Sequence, residues 1–314
     1  MPRLTAHPLF VLTLALTLSG CDRAGAPTAP AGSADEAEIT AALAASPEVQ
    51  DETAFDSNEE AQMIANSPFA GGTLAAIQPL RFWRRIADVD RRFSFEFSDP
   101  DSTGRPTRAV VTVRRTLRGA FIILAGPAAD LLDAAHCDTT HLVRKRLLDH
   151  GTRRILLVRV SEPARARCSW KVAASSGAVI VSDPRDQAPV IQSVRVETAN
   201  LDTTITEPLA FWFLRRIPKL EAGGKVRVTV TTAAVDDAVW LLRLGHKVPL
   251  VSQGDGTHVG EFTVGDEPGL RHVAVNALAH ATLFDDAAPY RSRAWVLPYA
   301  VRAEELAAEY RPAD

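Results

Sequence analysis

The chain reads as two folded units: an α+β domain in which short helices precede an antiparallel sheet, then an all-β antiparallel sandwich. Three observations predict this. The 314 residues exceed what one hydrophobic core usually organises. Apolar residues alternate with period two from Phe93 to about residue 182. Beyond "SDPRDQAP" at 182–189, the chain breaks into about seven short apolar runs separated by turn residues, the pattern of a sandwich.

The N-terminal segment stands apart from both units. Met1 to His7 carries one cation, Arg3, and Pro8 to Leu18 is apolar apart from Thr13 and Thr17. Eleven residues at about 1.5 Å each cannot cross a bilayer core of roughly 30 Å as a helix, so the run reads as the h-region of an export signal. It ends in "LSGC", Leu18 to Cys21, which resembles the lipobox of bacterial lipoproteins. The resemblance implies a signal peptide over 1–20, diacylglycerol on the Cys21 sulfur, and palmitate or a similar acyl chain on the new amino terminus. Two or more chains hold a protein firmly to a bilayer where one does not. Asp22 resembles the retention signal that keeps some lipoproteins on the inner membrane, facing the periplasm, rather than on the outer membrane.

Residues 21–36 read as the lipidated cysteine and a flexible tether, because "AGAPTAPAGS" lacks apolar periodicity and is rich in Ala, Pro and Gly. "DEAEITAALAAS" has helical spacing, with Asp35 as its expected N-cap and Pro47 beyond its end. Asn58 to Asn66 is a second helix candidate. In "IQPLRFWRRIADV", Leu80, Trp83, Ile86 and Val89 follow a helix spacing, and helix is the expectation there. "RFSFEFS" then places Phe93, Phe95 and Phe97 on one face of a strand. "RAVVTVRRTLRGAFIIL" reads as two strands with a turn or bulge at Arg118-Gly119, and "RRILLVRV" and "CSWKVAASSGAVIVS" add others. Together these make the basic α+β domain at 37–183.

From 190 to 301 the expected strands are Val190 to Glu197, Lys225 to Thr231, Val239 to Leu244, Val248 to Ser252, His258 to Val264, Arg271 to Leu278 and Trp295 to Val301, with a tail at 302–314. "KVRVTVTT", "VWLLRLGHKVPLVSQGDGTHVGEFTV" and "EPGLRHVAVNAL" are similar to the Ig-like and fibronectin-III-like modules of bacterial surface proteins, with Trp240 where such folds often bury an aromatic ring. The pattern departs at His272, where a tyrosine is common, and has no cysteine pair inside the sandwich. The resemblance implies architecture and not activity.

Charge is unevenly distributed. Residues 22–80 hold ten acids and one base, whereas residues 81–171 hold nineteen Lys and Arg against ten Asp and Glu. An exported chain with such a domain fits anionic glycan, lipid phosphate or an envelope protein as partner, and compartment excludes nucleic acid. Of three cysteines, Cys21 is committed to lipid, and Cys137 and Cys168 are left either as one disulfide or as two thiols.

Catalytic signatures are missing from the sequence: it has no Gly-x-Ser-x-Gly, no His-Glu-x-x-His and no phosphate loop. "HCDTTH" brings His136, Cys137 and His141 close, with His150 further on, but a satisfied loop is preferred over zinc because neighbours on a strand point oppositely. Asp285, Asp286, Tyr290 and Arg293 form the candidate binding loop. Two carboxylates fall short of a calcium shell, so no metal and no cofactor is assigned. The expectation is a lipid-anchored envelope lipoprotein with a non-catalytic binding or scaffolding role. The alternative is an envelope hydrolase or carbohydrate-active enzyme with its site in the basic domain.

Overall fold

A computed structural model describes residues 31–46, 62–63, 77–126, 141–162, 167–243 and 246–302. Helix α1 spans Ala31–Ala44. A short β1, Gln62–Met63, precedes four long strands: β2 Gln78–Pro100, β3 Pro106–Gly126, β4 His141–Glu162 and β5 Arg167–Ser182. The C-terminal part supplies β6 Ile191–Glu197, β7 Asp202–Ile205, β8 Trp212–Phe213, β9 Lys219–Glu221, β10 Lys225–Thr232, β11 Ala238–Arg243, β12 His246–Pro249, β13 Val251–Ser252, β14 Thr257–Thr263, β15 Gly269–Leu278, α2 His280–Phe284 and β16 Ser292–Arg302.

The N-terminal part is therefore not an α+β domain. It is an antiparallel meander, and among the described residues α1 is the one helix longer than five residues. The expected helix at "IQPLRFWRRIADV" is strand β2, and of the second candidate, Asn58 to Asn66, residues 62–63 are strand β1 while the rest lies outside the described residues. The helical spacing of Leu80, Trp83, Ile86 and Val89 was coincidental. Phe82, Arg84 and Ile86 face inward on β2, and two features hide that alternation: Arg84 is a buried cation, and the register slips between Ile86 and Asp88. Ala87 is the extra residue of this bulge. Opposite it sits Gly119 on β3, where an added Cβ would lie 2.0 Å from the Arg85 carbonyl oxygen. The irregularity expected at Arg118-Gly119 thus belongs to the facing strand, and β3 runs through it unbroken. Asp35 is inside α1, not its cap: its carboxylate pairs with Arg159 and accepts from Trp170 Nε1 at 3.4 Å, fixing the helix to the sheet.

An eleven-stranded sheet runs in the order β1-β2-β3-β4-β5-β16-β15-β11-β12, with β8 on β5 and β9 on β16, and a five-stranded sheet runs β13-β14-β10-β6-β7. Because β5 pairs with β16 through Val181↔Arg293 to Ala178↔Val296, one sheet passes from the N-terminal strands into the C-terminal ones. The expected strand Val248 to Ser252 is divided at Leu250 between the two sheets. The segment 183–189 is tied to the start of β16, where Arg291 donates to the Asp183 carbonyl and Arg293 to the Pro189 carbonyl.

Three apolar clusters fill the structure. The first lies between the five-stranded sheet (Val194, Val228, Phe262) and one face of β11, β15 and β16 (Leu241, Val275, Trp295). The second lies on the other face of the same strands, where Trp240, Ala274 and Val296 meet Phe82, Leu117, Phe121 and Leu147 of the long strands. The third joins Ile39 and Leu43 of α1 to Val111, Ile155 and Trp170, with the Phe93, Phe95 and Phe97 ladder packed against it. Trp240 is 1% exposed and meets Phe82 edge-on at 5.1 Å, so it faces the long strands and not the five-stranded sheet.

Gly119→Ala forces a side-chain carbon into backbone and should lower stability by about 3 kcal/mol. Gly151→Ala, whose Cβ would meet its nearest neighbours at ordinary distances of 3.5 and 3.6 Å, should change it by less than about 1 kcal/mol. Urea unfolding of both variants checks this, and equal costs would contradict it.

Candidate functional site

The long strands present two faces with different chemistry. On the outer face the strand register aligns arginines in rows. Arg85 and Arg146 flank Ala120, Arg144 sits opposite Ile122, and Arg92, Arg114 and Thr152 follow one another across three strands. Arg85, Arg92, Arg114, Arg118, Arg144 and Arg146 are all exposed. Acids on this face are partly engaged locally: Asp88 bridges Arg118 at 2.8 Å and Asp90 bridges Arg92 at 3.1 Å. Such exposed pairs contribute little to stability, so the cations remain available to an outside anion.

The inner face carries charges inside the fold. Every second residue of β4 points inward, and that series includes Lys145, Asp149 and Arg153 among Val143, Leu147 and Ile155. Arg115 and Arg153 lie between the second and third apolar clusters. Arg153 donates through Nε to Ser175 Oγ at 2.9 Å and places Nη2 3.3 Å from His272 Nε2 on β15. Burial and the neighbouring Arg153 push the Arg115 guanidinium down to about 10. Gly151, Val113 and Ile180 join the two arginines around a cavity of about 10 Å³, space for about one water molecule.

Within the second cluster, Tyr290 Oη donates to Asp149 Oδ2 at 3.1 Å, and both side chains are buried. Burial raises the Asp149 carboxyl to about 7, outweighing the opposing pull of Arg84 and the Tyr290 hydrogen bond. Lys145 Nζ donates to the Asp285 carbonyl at 2.5 Å, and burial lowers its ammonium to about 8 against the attraction of Asp285 and Asp286.

The candidate binding loop is thereby placed. Asp285 follows α2 and its Oδ1 accepts from the amides of Ala287 and Ala288 at 2.9 and 3.3 Å, a turn-capping role. Asp286 is exposed, Tyr290 points inward to Asp149, and Arg293 binds the Pro189 carbonyl, so the four side chains do not converge on one point. His141 and His150 stand nine positions apart on β4, about 30 Å from each other and on opposite faces, too far to share a metal. His150 is 3.8 Å from Asp183. No group of three His, Cys, Asp or Glu side chains gathers among the described residues. Cys21, Asp22, His136 and Cys137 lie outside the described residues, while Cys168 sits on β5 with its backbone opposite Ser161.

The inward charges Arg84, Arg115, Lys145, Asp149 and Arg153 were not singled out as site residues from sequence, and His272 was noted only as a departure from the Ig-like pattern. Their signal was the alternation of β4 itself, which sets Lys145, Asp149 and Arg153 in phase with core residues.

No protein-family model, curated protein or solved structure matches this chain. The functional reading rests on the residues themselves.

Asp149 gives a pH-dependent test. Its folded value of about 7 lies above its ordinary value of 3.8, and Asp237 is raised in the same sense by burial and Asp236. Folding therefore favours the protonated carboxyl: that stabilisation is full below about pH 4 and is lost as pH rises through 7. Asp149→Asn should flatten the fall in stability between pH 4 and 7 by up to about 1.4 kcal/mol per pH unit. An unchanged slope in denaturant titrations across that range would contradict it.

Proposed function

We propose that this protein is a lipid-anchored lipoprotein of the bacterial cell envelope, held through Cys21 and facing the periplasm, with a non-catalytic binding role. Supporting the address are the short apolar run, the Leu18-Ser19-Gly20-Cys21 sequence and Asp22 after it. The observation that carries the binding half is the arginine-rich outer face of β2, β3 and β4, an exposed cationic surface suited to an anionic envelope glycan. An Ig-like module is the reading for the C-terminal strands. Their face-to-face packing of two antiparallel sheets, with residues alternating between layers, supports it.

A lipoprotein requires the thiol. Cys21→Ala should accumulate as a full-length precursor that takes up no labelled palmitate, whereas the unaltered chain is processed and labelled. Processing at residue 21 without the cysteine would refute the anchor. For the binding role, Arg144→Glu with Arg146→Glu should lower retention on an anionic polysaccharide at least about tenfold at low salt, with retention of the unaltered chain falling as salt is added. Equal retention of both would refute the outer face as the contact.

A further inference from the structure

The segment from 208 to 220, "PLAFWFLRRIPKL", is absorbed by neither the arginine rows nor the inner polar groups. It holds three aromatic residues in succession and three cations, with no acid. Its fold explains how these come to lie on the surface. Strand β8 pairs antiparallel with the edge of β5, Phe213 opposite Ala174 and Trp212 opposite Ser175, and a single 3-10 turn at Leu214–Arg216 leads on to β9, which runs in the same sense beside β16. Trp212 and Leu214 are half-buried, Ile217 is buried, and Arg215, Arg216 and Lys219 are exposed. Phe213 is 47% exposed, the one aromatic among the large exposed apolar residues of the described chain. Phe211 carries the Arg154 guanidinium over its ring at 4.8 Å. Phe213, Leu214, Arg215 and Arg216 border an open concavity of about 480 Å³ whose floor is Val172 and Ala173 of β5.

An exposed aromatic ring flanked by arginines, with no carboxylate in the segment, suits a surface with acyl chains beneath an anionic layer. The ring enters the headgroup boundary while the guanidiniums meet phosphates. Position agrees with chemistry. The described chain begins at Ala31, in α1, which packs along β5; Val172 both borders the concavity and packs against the α1 cluster. Nine residues separate Cys21 from Ala31, so the ten steps between them span at most about 36 Å. A chain anchored at Cys21 therefore keeps Ala31 within about 36 Å of the bilayer.

We infer that Phe211, Phe213, Leu214, Arg215 and Arg216 form a second bilayer contact, selective for anionic phospholipid, beside helix α1, the described element nearest Cys21 in sequence. This inference rests on the lipoprotein reading for its orientation, but its test does not use the acyl chains. The chain from Asp22 onward, which keeps every described residue, is sedimented with vesicles of phosphatidylethanolamine and phosphatidylglycerol (7:3) and with vesicles of phosphatidylcholine. Binding is expected to the anionic vesicles alone. It should fall at least about tenfold in Arg215→Glu with Arg216→Glu, and clearly in Phe213→Ser, while Arg227→Glu, exposed on β10, keeps most of it; Arg144→Glu with Arg146→Glu is assayed alongside. Circular dichroism of each variant checks that the strands persist. Absence of vesicle binding would overturn the inference. So would binding that survives Phe213→Ser and the paired Arg215 and Arg216 reversal yet is lost with Arg144 and Arg146, which would assign the contact to the arginine rows. If palmitate labelling of Cys21 fails while the patch variants lose vesicle binding, the anchor is wrong and the membrane contact stands.

Discussion

Strands β11, β15 and β16 are buried on both faces, and the rest of the fold depends on it. Val239 to Leu242, His272 to Leu278 and Ala294 to Tyr299 are continuous buried runs. A strand in an ordinary two-layer sandwich would alternate buried with exposed residues; these cannot, because their odd and even positions face different layers. Two layers must therefore be supplied. The five-stranded sheet covers Val273, Val275 and Trp295, and the long meander turns over Trp240, Ala274 and Val296. Transferring either set to water would expose several large side chains, each worth about 1.5–3 kcal/mol of burial.

The two interfaces of this middle layer differ in composition. Toward the five-stranded sheet the packing is mostly apolar, with Thr232 Oγ1 and His258 Nε2, 3.1 Å apart, as a buried polar pair. Toward the meander it includes Asp149 with Tyr290, Arg153 with His272, and Ser292 donating to Asn276 at 2.7 Å. Buried polar groups stabilise little in themselves but penalise alternatives in which their partners are lost. They set the meander in one register against β15 and β16, with its outer arginine face turned to solvent. The position of the candidate binding surface thus follows from the core.

Much of the C-terminal half was legible in the sequence. Its strands end at turn residues whose chemistry is local: Gly254 and Gly256 adopt positive φ, and Asp255 caps the turn between them by accepting from the Thr257 amide at 2.9 Å. The Phe93, Phe95 and Phe97 ladder was legible as well, being strict alternation. Strand β2 was not, since a buried arginine and a one-residue bulge erased its period, and neither leaves a local mark. The pairing of β5 with β16 joins residues more than a hundred positions apart, and no periodicity records which strand a given edge will choose. Of the candidate binding loop, the residue types were visible but their direction was not. Tyr290 turns inward because β4 places Asp149 beneath it, and Lys145 holds the loop through backbone carbonyls that a sequence reading does not count.

The central claim is that the meander and the C-terminal sheets share one doubly covered layer and hold together as a unit. Native-state hydrogen exchange read residue by residue tests it most directly. Amides in the middle of β3, β4, β15 and β16 should exchange only through global opening, with one common free energy and one denaturant dependence. If β3 and β4 exchange through a separate, lower-energy opening that leaves β15 and β16 protected, the meander is an independent domain and the account is wrong.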